Sequence, residues 1–340
     1  MLFKISRTLA SFCLAVLVRG AAVTSDDCSA FSTDGRAASH YQYYRFYDFR
    51  NTSAPIPKSK STKYPRSKAV YDDSWKDDWY IRDYPRVSSQ ETLLPVNFIP
   101  ERVTDNSKDY STYLTLSTAR IDEENQEAGE ITFTEFNASF ASARFYGRVR
   151  GAPGAVASIF TYYNDTQEAD IEIFTRAPSD TVLYSNQPIA VGDDYIYIPG
   201  AMTNVTTTKA QAYDDWQIHR LDWIDGRTVV FIDDKEVNTS TVNVPVANPP
   251  SRIYLDMWSN GGNWTGNMTI GNSAVMDIQW IEMLFNSTDS WAAPATNKKV
   301  CAASAVHSTA VKKGDGTRTV RSAETMLLLS FLLFISFLFI

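Results

Sequence analysis

The sequence predicts an all-β protein, a sandwich or jelly roll, on three observations. No long stretch of its 340 residues repeats apolar side chains at the 3.6-residue spacing of an amphipathic helix. β-Branched and aromatic residues instead recur in short alternating runs. Turn signals separate those runs, the sharpest being Asp225-Gly226, a pair suited to a tight hairpin. Many evenly spaced strands in one domain's worth of chain point to two packed sheets.

Taken in order, the expected strands are Tyr43–Phe49, Tyr113–Ser117, Phe145–Arg150, Ala155–Tyr163 and Ala169–Thr175, then Gln217–Trp223, Thr228–Asp233, Arg252–Trp258 and Met276–Phe285. Between the first two lies Ala54–Lys68 (APIPKSKSTKYPRSK), whose Pro, Ser and Lys content reads as a surface loop. No repeat and no second domain is visible.

The two ends read as addresses rather than fold. Met1–Ala22 carries Lys4 and Arg7, an apolar run over Thr8–Val18, and the small residues Gly20, Ala21 and Ala22, the order of a secretory signal peptide. The run is too short for the roughly 20 residues of a membrane span, which disfavours the alternative of an anchor helix. Met326–Ile340 is a terminal apolar tail behind the polar spacer Thr317–Thr325 and the small cluster Gly314-Asp315-Gly316. Small site, spacer and greasy tail form a glycolipid-anchor signal, with Gly314 the expected attachment residue and Ser322 or Ser304 less well spaced. The expected organisation is residues 1–22 removed, 23–300 as the domain, 301–314 as a polar linker, and 315–340 removed. The mature chain is expected outside the cell, anchored to the plasma membrane or wall.

Processing removes Lys4, Arg7, Arg19, Arg318 and Arg321 but only Asp315 and Glu324, taking the net charge from −7 to −10. Such a surface repels phosphate backbones, so nucleic-acid binding is not expected. A monomer is. Of three cysteines, Cys13 leaves with the signal. An oxidising compartment favours a Cys28–Cys301 disulfide, with two free thiols as the alternative. Eight N-x-Ser/Thr sequons, at Asn51, Asn137, Asn164, Asn204, Asn238, Asn263, Asn267 and Asn286, fit the same compartment and imply mostly exposed turns or strand ends.

The histidines are His40, His219 and His307 only, which leaves Ser–His–Asp, Cys–His and His-rich metal chemistry poorly supplied. Carboxylates and aromatics are abundant, and these are the raw material of carbohydrate chemistry. One segment concentrates them: Gln167-Glu168-Ala169-Asp170-Ile171-Glu172-Ile173-Phe174. On a strand Glu168, Asp170 and Glu172 share one face, while Ala169, Ile171 and Ile173 face a core. Glu168 and Glu172 lie about 13 Å apart by Cα, so their side chains must lean inward to reach the ~5–5.5 Å carboxyl separation of a retaining glycosidase. Like-charge repulsion would raise one carboxyl's pKa and keep it protonated beside an ionised nucleophile. The alternative is an edge strand using charge against aggregation.

The surroundings favour the chemical reading. Ile159-Phe160-Thr161-Tyr162-Tyr163 precedes the carboxylates. Asp215–Trp223 and Asp256-Met257-Trp258-Ser259-Asn260-Gly261-Gly262-Asn263-Trp264-Thr265-Gly266 follow them. Aromatic faces stack on sugar rings while amides and hydroxyls select the hydroxyl pattern.

With these motifs in this order, the chain resembles glycoside hydrolase family 16, whose signature is an E-x-D-x-E or E-x-D-x-x-E strand. Glu168-Ala169-Asp170-Ile171-Glu172 matches the shorter form, as in licheninase-like members and fungal cell-wall transglycosylases, and the similarity covers roughly residues 110–285. The resemblance implies a concanavalin-A-like jelly roll of two curved antiparallel sheets with the carboxylates on the concave one. It implies Glu168 as nucleophile, Glu172 as general acid/base, and Asp170 as the residue that hydrogen-bonds the nucleophile. Tyr162, Trp258 and Trp264 resemble substrate-contacting residues, and Arg120 a cleft arginine. The chain departs from the family's pattern at Asp256, where Asn is common, at Gln217, where His is frequent, and at Ala169, which is smaller than usual.

The expected function is therefore a retaining glycosidase acting on β-glucan with β-1,3 or mixed β-1,3-1,4 linkages. The alternatives are a cell-wall glucan or chitin transglycosylase with the same site, and a lectin-like sandwich that binds without cleaving. No cofactor is expected; some relatives carry a structural calcium, but no oxygen-ligand loop stands out.

Overall fold

In a computed structural model the alternating runs become strands that pair into two layers. The structure describes residues 28–33, 40–50, 78–82, 84–85, 91–93, 97–100, 112–176, 181–206, 215–288 and 299–303. The signal segment, the loop at 54–68, Asn51, Ser304, His307, Gly314 and the C-terminal tail lie outside the described residues.

The strands are β1 (Cys28–Ser32), β2 (His40–Tyr41), β3 (Tyr43–Asp48), β4 (Trp79–Ile81), β5 (Glu91–Leu93), β6 (Asn97–Pro100) and β7 (Thr112–Arg120). Next come β8 (Gln126–Phe133), β9 (Ala138–Gly151), β10 (Val156–Asn164), β11 (Gln167–Phe174), β12 (Thr181–Asn186), β13 (Ala190–Val191) and β14 (Ile196–Tyr197). The last are β15 (Met202–Thr206), β16 (Gln217–Ile224), β17 (Arg227–Ile232), β18 (Lys235–Ser240), β19 (Arg252–Trp258), β20 (Ser273–Ser287) and β21 (Lys299–Ala302).

Sixteen of them form one hydrogen-bonded sheet, twelve along a continuous path that folds back on itself and four beside it. One layer runs β15-β12-β11-β10-β19-β8, with β4 also beside β8; the other runs β7-β20-β9-β16-β17-β18, with β3 beside β20. Pairing is antiparallel except for β5 with β8 and β1 with β21. The fold is an all-β jelly-roll sandwich, as expected. Strand β8 joins the layers: Gln126 and Glu127 pair with β7, while Gly129–Thr132 pair with β19. At this crossing a Cβ on Gly129 would sit 2.9 Å from the Ser117 backbone nitrogen, so the strand needs glycine there.

The core lies between the layers. Ala157 and Ile159 of β10, Ile171 and Ile173 of β11, Leu255 and Met257 of β19 and Ile131 of β8 all turn inward. They meet Leu114, Leu116, Phe145, Val149, Leu221, Met276 and Ile278 from the opposite layer. Each of these side chains larger than alanine contributes about 1.5–3 kcal/mol when fully buried. Because side chains alternate, burying this set turns the intervening residues of β8, β10, β11 and β19 outward, onto the face that carries the site.

All nine expected strands occur, with ends shifted by at most a few residues save for Phe145–Arg150, which is the second half of the longer β9. Others were not expected. β8 reads QEAGEITF, too polar to announce a strand, and β12 has Val182, Leu183 and Tyr184 all buried, so it lacks alternation. Cys28 and Cys301 are joined in a disulfide with Cα atoms 5.7 Å apart, tying β1 to β21. Among the sequons, Asn164, Asn204, Asn263 and Asn267 are exposed. Asn286 is buried instead, its Oδ1 accepting from the Gln42 backbone N–H at 2.9 Å.

Candidate active site

The outward residues of four neighbouring strands fall into rows, set by register. Glu172 of β11 pairs with Ser158 of β10, which pairs with Asp256 of β19, which pairs with Glu130 of β8. The next row is Asp170, Phe160, Tyr254 and Thr132. A third is Glu168, Tyr162 and Arg252. These rows, apart from Thr132 and Arg252 at their ends, floor a cavity of about 500 Å³, lined also by Arg82, Asp165 and Trp258.

The three predicted carboxylates are thus brought together on one cleft face. Asp170 and Glu172 are buried and Glu168 is half-buried. Their surroundings differ. The indole Nε1–H of Trp264 donates to Glu172 Oε1 at 2.9 Å. Burial above all pushes the Glu172 carboxyl up to about 8, and the Trp264 hydrogen bond offsets part of that rise. Ser185 of β12 donates its hydroxyl to Asp170 Oδ2 at 2.7 Å. Asp170 also hydrogen-bonds Glu168, and burial holds Asp170 well above the usual carboxylate range. Burial pushes Glu168 up to about 7, with the Asp170 hydrogen bond offsetting part of the rise. That hydrogen bond lowers Glu168 and raises Asp170, so of this pair Asp170 holds a proton more tightly and Glu168 is the more readily charged.

The walls are aromatic. Phe160 and Tyr254 stack with ring centroids 4.9 Å apart, and Tyr162 meets Tyr254 edge-on at 6.4 Å. In the β10–β11 turn, Asn164 Oδ1 accepts from the Thr166 N–H at 3.0 Å, while Asp165 Oδ1 accepts from the Tyr162 hydroxyl at 2.8 Å. The latter contact aims the ring of Tyr162. Trp258 lines the cleft, and Trp264 stands behind Glu172, packed edge-on against Phe174 at 5.5 Å.

Arg120 is not brought to the cleft. It ends β7 in the other layer, where its Nη2 donates to the Glu123 carbonyl at 2.6 Å. The arginine in the cleft is Arg82, just beyond β4, paired with Glu130 at 2.9 Å. Sequence reasoning also missed Glu130, Ser158, Phe160, Asp165 and Tyr254. Phe160 and Tyr254 were within reach, being two positions from Tyr162 and Asp256 on strands already identified. Glu130 and Arg82 were not, because they enter through pairings of β8 and β4 that no local pattern marks.

Six carboxylates, Glu130, Asp165, Glu168, Asp170, Glu172 and Asp256, therefore share the cavity with one arginine. Among the described residues no group of three or more His, Cys, Asp or Glu is arranged to hold a metal ion.

No family model and no curated protein matches the chain. Among solved structures it is similar to a β-glucanase of Bacillus licheniformis, at 18% identity over 61% of this chain and 92% of that one, with a TM-score of 0.46. It is similar also to a prokaryotic β-1,3-1,4-glucanase (lichenase) from a mouse hindgut metagenome, at 16% identity over 72% and 99% of the two chains and a TM-score of 0.49. The laminarinase catalytic domain of Thermotoga maritima shows 12% identity over 71% and 100%, with a TM-score of 0.46. At these identities the likeness is confined to fold, and the chemistry of this protein stands on its own cleft.

Proposed function

We propose that the protein is a retaining glycosidase acting on a neutral β-glucan with β-1,3 or mixed β-1,3-1,4 linkages. One observation carries the reading: a single strand face presents three carboxyls in an aromatic-walled cleft, each with different hydrogen-bonding neighbours. Glu168 would attack the anomeric carbon while Glu172 gives its proton to the departing oxygen, leaving a covalent glycosyl-enzyme. Glu172, now ionised, would take a proton from the acceptor as that acceptor displaces Glu168. Water as acceptor gives hydrolysis, and a sugar hydroxyl gives transglycosylation. The surplus of carboxylates repels acidic polysaccharides, which supports a neutral substrate.

The two ends of the sequence support a secreted, glycolipid-anchored enzyme attached through Gly314. Release from cells by a phosphatidylinositol-specific phospholipase tests that part; protein left on the membrane would refute it.

For the chemistry, Glu168→Ala should abolish turnover of β-glucan oligosaccharides, and azide or formate should restore part of it. Full activity in that variant would remove Glu168 from the role of nucleophile. Labelled acceptor oligosaccharides in the same assay separate hydrolysis from transfer. Glycan binding with no turnover by the wild type would make the cleft a lectin site.

A further inference from the structure

The outward face of β10 and β19 does not end at the cleft. On β19 the cleft uses Trp258, Asp256 and Tyr254, and a second cavity of about 520 Å³ continues with Tyr254, Arg252 and, just before the strand, Pro250. On β10 the cleft uses Ser158, Phe160 and Tyr162, and the second cavity uses Tyr162 and Tyr163. Tyr162 and Tyr254 belong to both. The cleft crosses β11, β10, β19 and β8, whereas the second cavity follows β10 and β19 lengthwise, so the two meet at an angle.

The second cavity has a different chemistry. None of its lining residues is a carboxylate. Phe136 and Tyr163 are 47% and 50% exposed, and the Arg252 guanidinium lies 4.4 Å from the centroid of the Phe136 ring. Rings left half-open beside fixed polar groups suit a sugar, and the volume falls in the roughly 300–1,000 Å³ range of small-ligand sites.

Its position says how it joins the cleft. Tyr162 pairs with both Glu168 and Arg252, so the cavity opens from the Glu168 end of the carboxylate strand.

We propose that this second cavity is a side arm of the cleft that binds a short glycan branch of a substrate lying in the cleft, so that branched β-glucan is taken in preference to linear. The proposal rests on the glycosidase reading above. It is tested with the double variant Phe136→Ala/Tyr163→Ala, whose residues belong neither to the lining of the cleft nor to the core between the layers. Full-length wild type and variant are compared on a linear β-1,3-glucan and on the same backbone bearing single-glucose branches.

The wild type should favour the branched substrate in kcat/KM. The variant should lose that preference by about ten-fold, the size of a lost aromatic contact, with the linear substrate unchanged within about two-fold. A wild type indifferent to branching, an intact preference in the variant, or an equal loss on both substrates would each overturn the side arm. Turnover of neither substrate by the wild type would instead refute the glycosidase reading. The arm would then be judged by calorimetric binding of a branched oligosaccharide to wild type and variant, and equal affinity would overturn it.

Discussion

Replacing Glu172 by Gln should stabilise the protein, and by an amount that grows with pH. The fold holds the Glu172 proton more tightly than an unfolded chain does, since burial raises its pKa from 4.5 to about 8. Its contribution to stability is therefore intact below about 4.5, erodes as the pH rises, and is least above about 8. At 1.36 kcal/mol per pKa unit, that shift corresponds to about 5 kcal/mol when fully expressed, of which about 3–4 kcal/mol develops between pH 5 and pH 8. Gln keeps the shape, stays neutral, and still offers an oxygen to the Trp264 indole.

Urea unfolding followed by tryptophan fluorescence, with the Cys28–Cys301 disulfide intact, measures the difference directly. Wild type and Glu172→Gln should differ by less than about 1 kcal/mol at pH 5 and by about 3–4 kcal/mol at pH 8, the variant being more stable. A difference that is the same at both pH values, or a variant less stable at pH 8, would show that Glu172 ionises freely in the fold. It could not then hold a proton ready for a departing oxygen, and the division of roles in the cleft would fail with it.

Trp264→Phe removes the donor that favours ionised Glu172, so the basic limb of the kcat/KM profile should move up by about one pH unit; a downward move would contradict the hydrogen bond's role. Gly129→Ala puts a methyl 2.9 Å from the Ser117 nitrogen and should cost about 1–3 kcal/mol in the same unfolding assay, while an unchanged midpoint would mean that the crossing of β8 is looser than described. Arg82→Ala leaves buried Glu130 without its ion-pair partner and should lower stability by about 3 kcal/mol at neutral pH, a loss absent if the pair contributes nothing. Arg120→Ala should leave kcat/KM within about two-fold of wild type, and a large loss would return that arginine to the cleft.

What could be read from the sequence follows the reach of period-two alternation. Once β11 is taken as a strand, Glu168, Asp170 and Glu172 must share a face, and Ile171 and Ile173 must share the other. Both are found, with Ile171 and Ile173 in the core. Trp258 and Tyr162 reach the cleft by the same argument on β19 and β10. What lay beyond reach depends on which strands become neighbours. Glu130 enters because β8 pairs with β19, and Arg82 because β4 pairs with β8, contacts separated by well over a hundred and by about fifty residues of chain. Arg120 fails for the same reason. A motif places a residue on a strand, but only the pairing of β7 with β20 puts that strand in the opposite layer.

The assignment of roles was also beyond spacing. Glu168 and Glu172 are chemically identical, lie on the same face, and are both pushed up by burial, so nothing in their positions says which attacks and which donates. The neighbours differ in the direction that the proposed roles require. Glu172 is held by an indole N–H, which donates a hydrogen bond but gives up no proton at ordinary pH, and at about 8 its carboxyl keeps its own proton at neutrality. Glu168 is held by Asp170, whose pKa complete burial raises well above the usual range, and the hydrogen bond between them lowers Glu168 while raising Asp170, so Glu168 is the more readily charged of the two. Ser185 fixes this direction, because its hydroxyl occupies Asp170 Oδ2 as a donor and leaves the other oxygen for the proton that Glu168 accepts. The difference between the two glutamates therefore reaches back one strand, to Ser185 on β12, which lies outside the lining of the cleft.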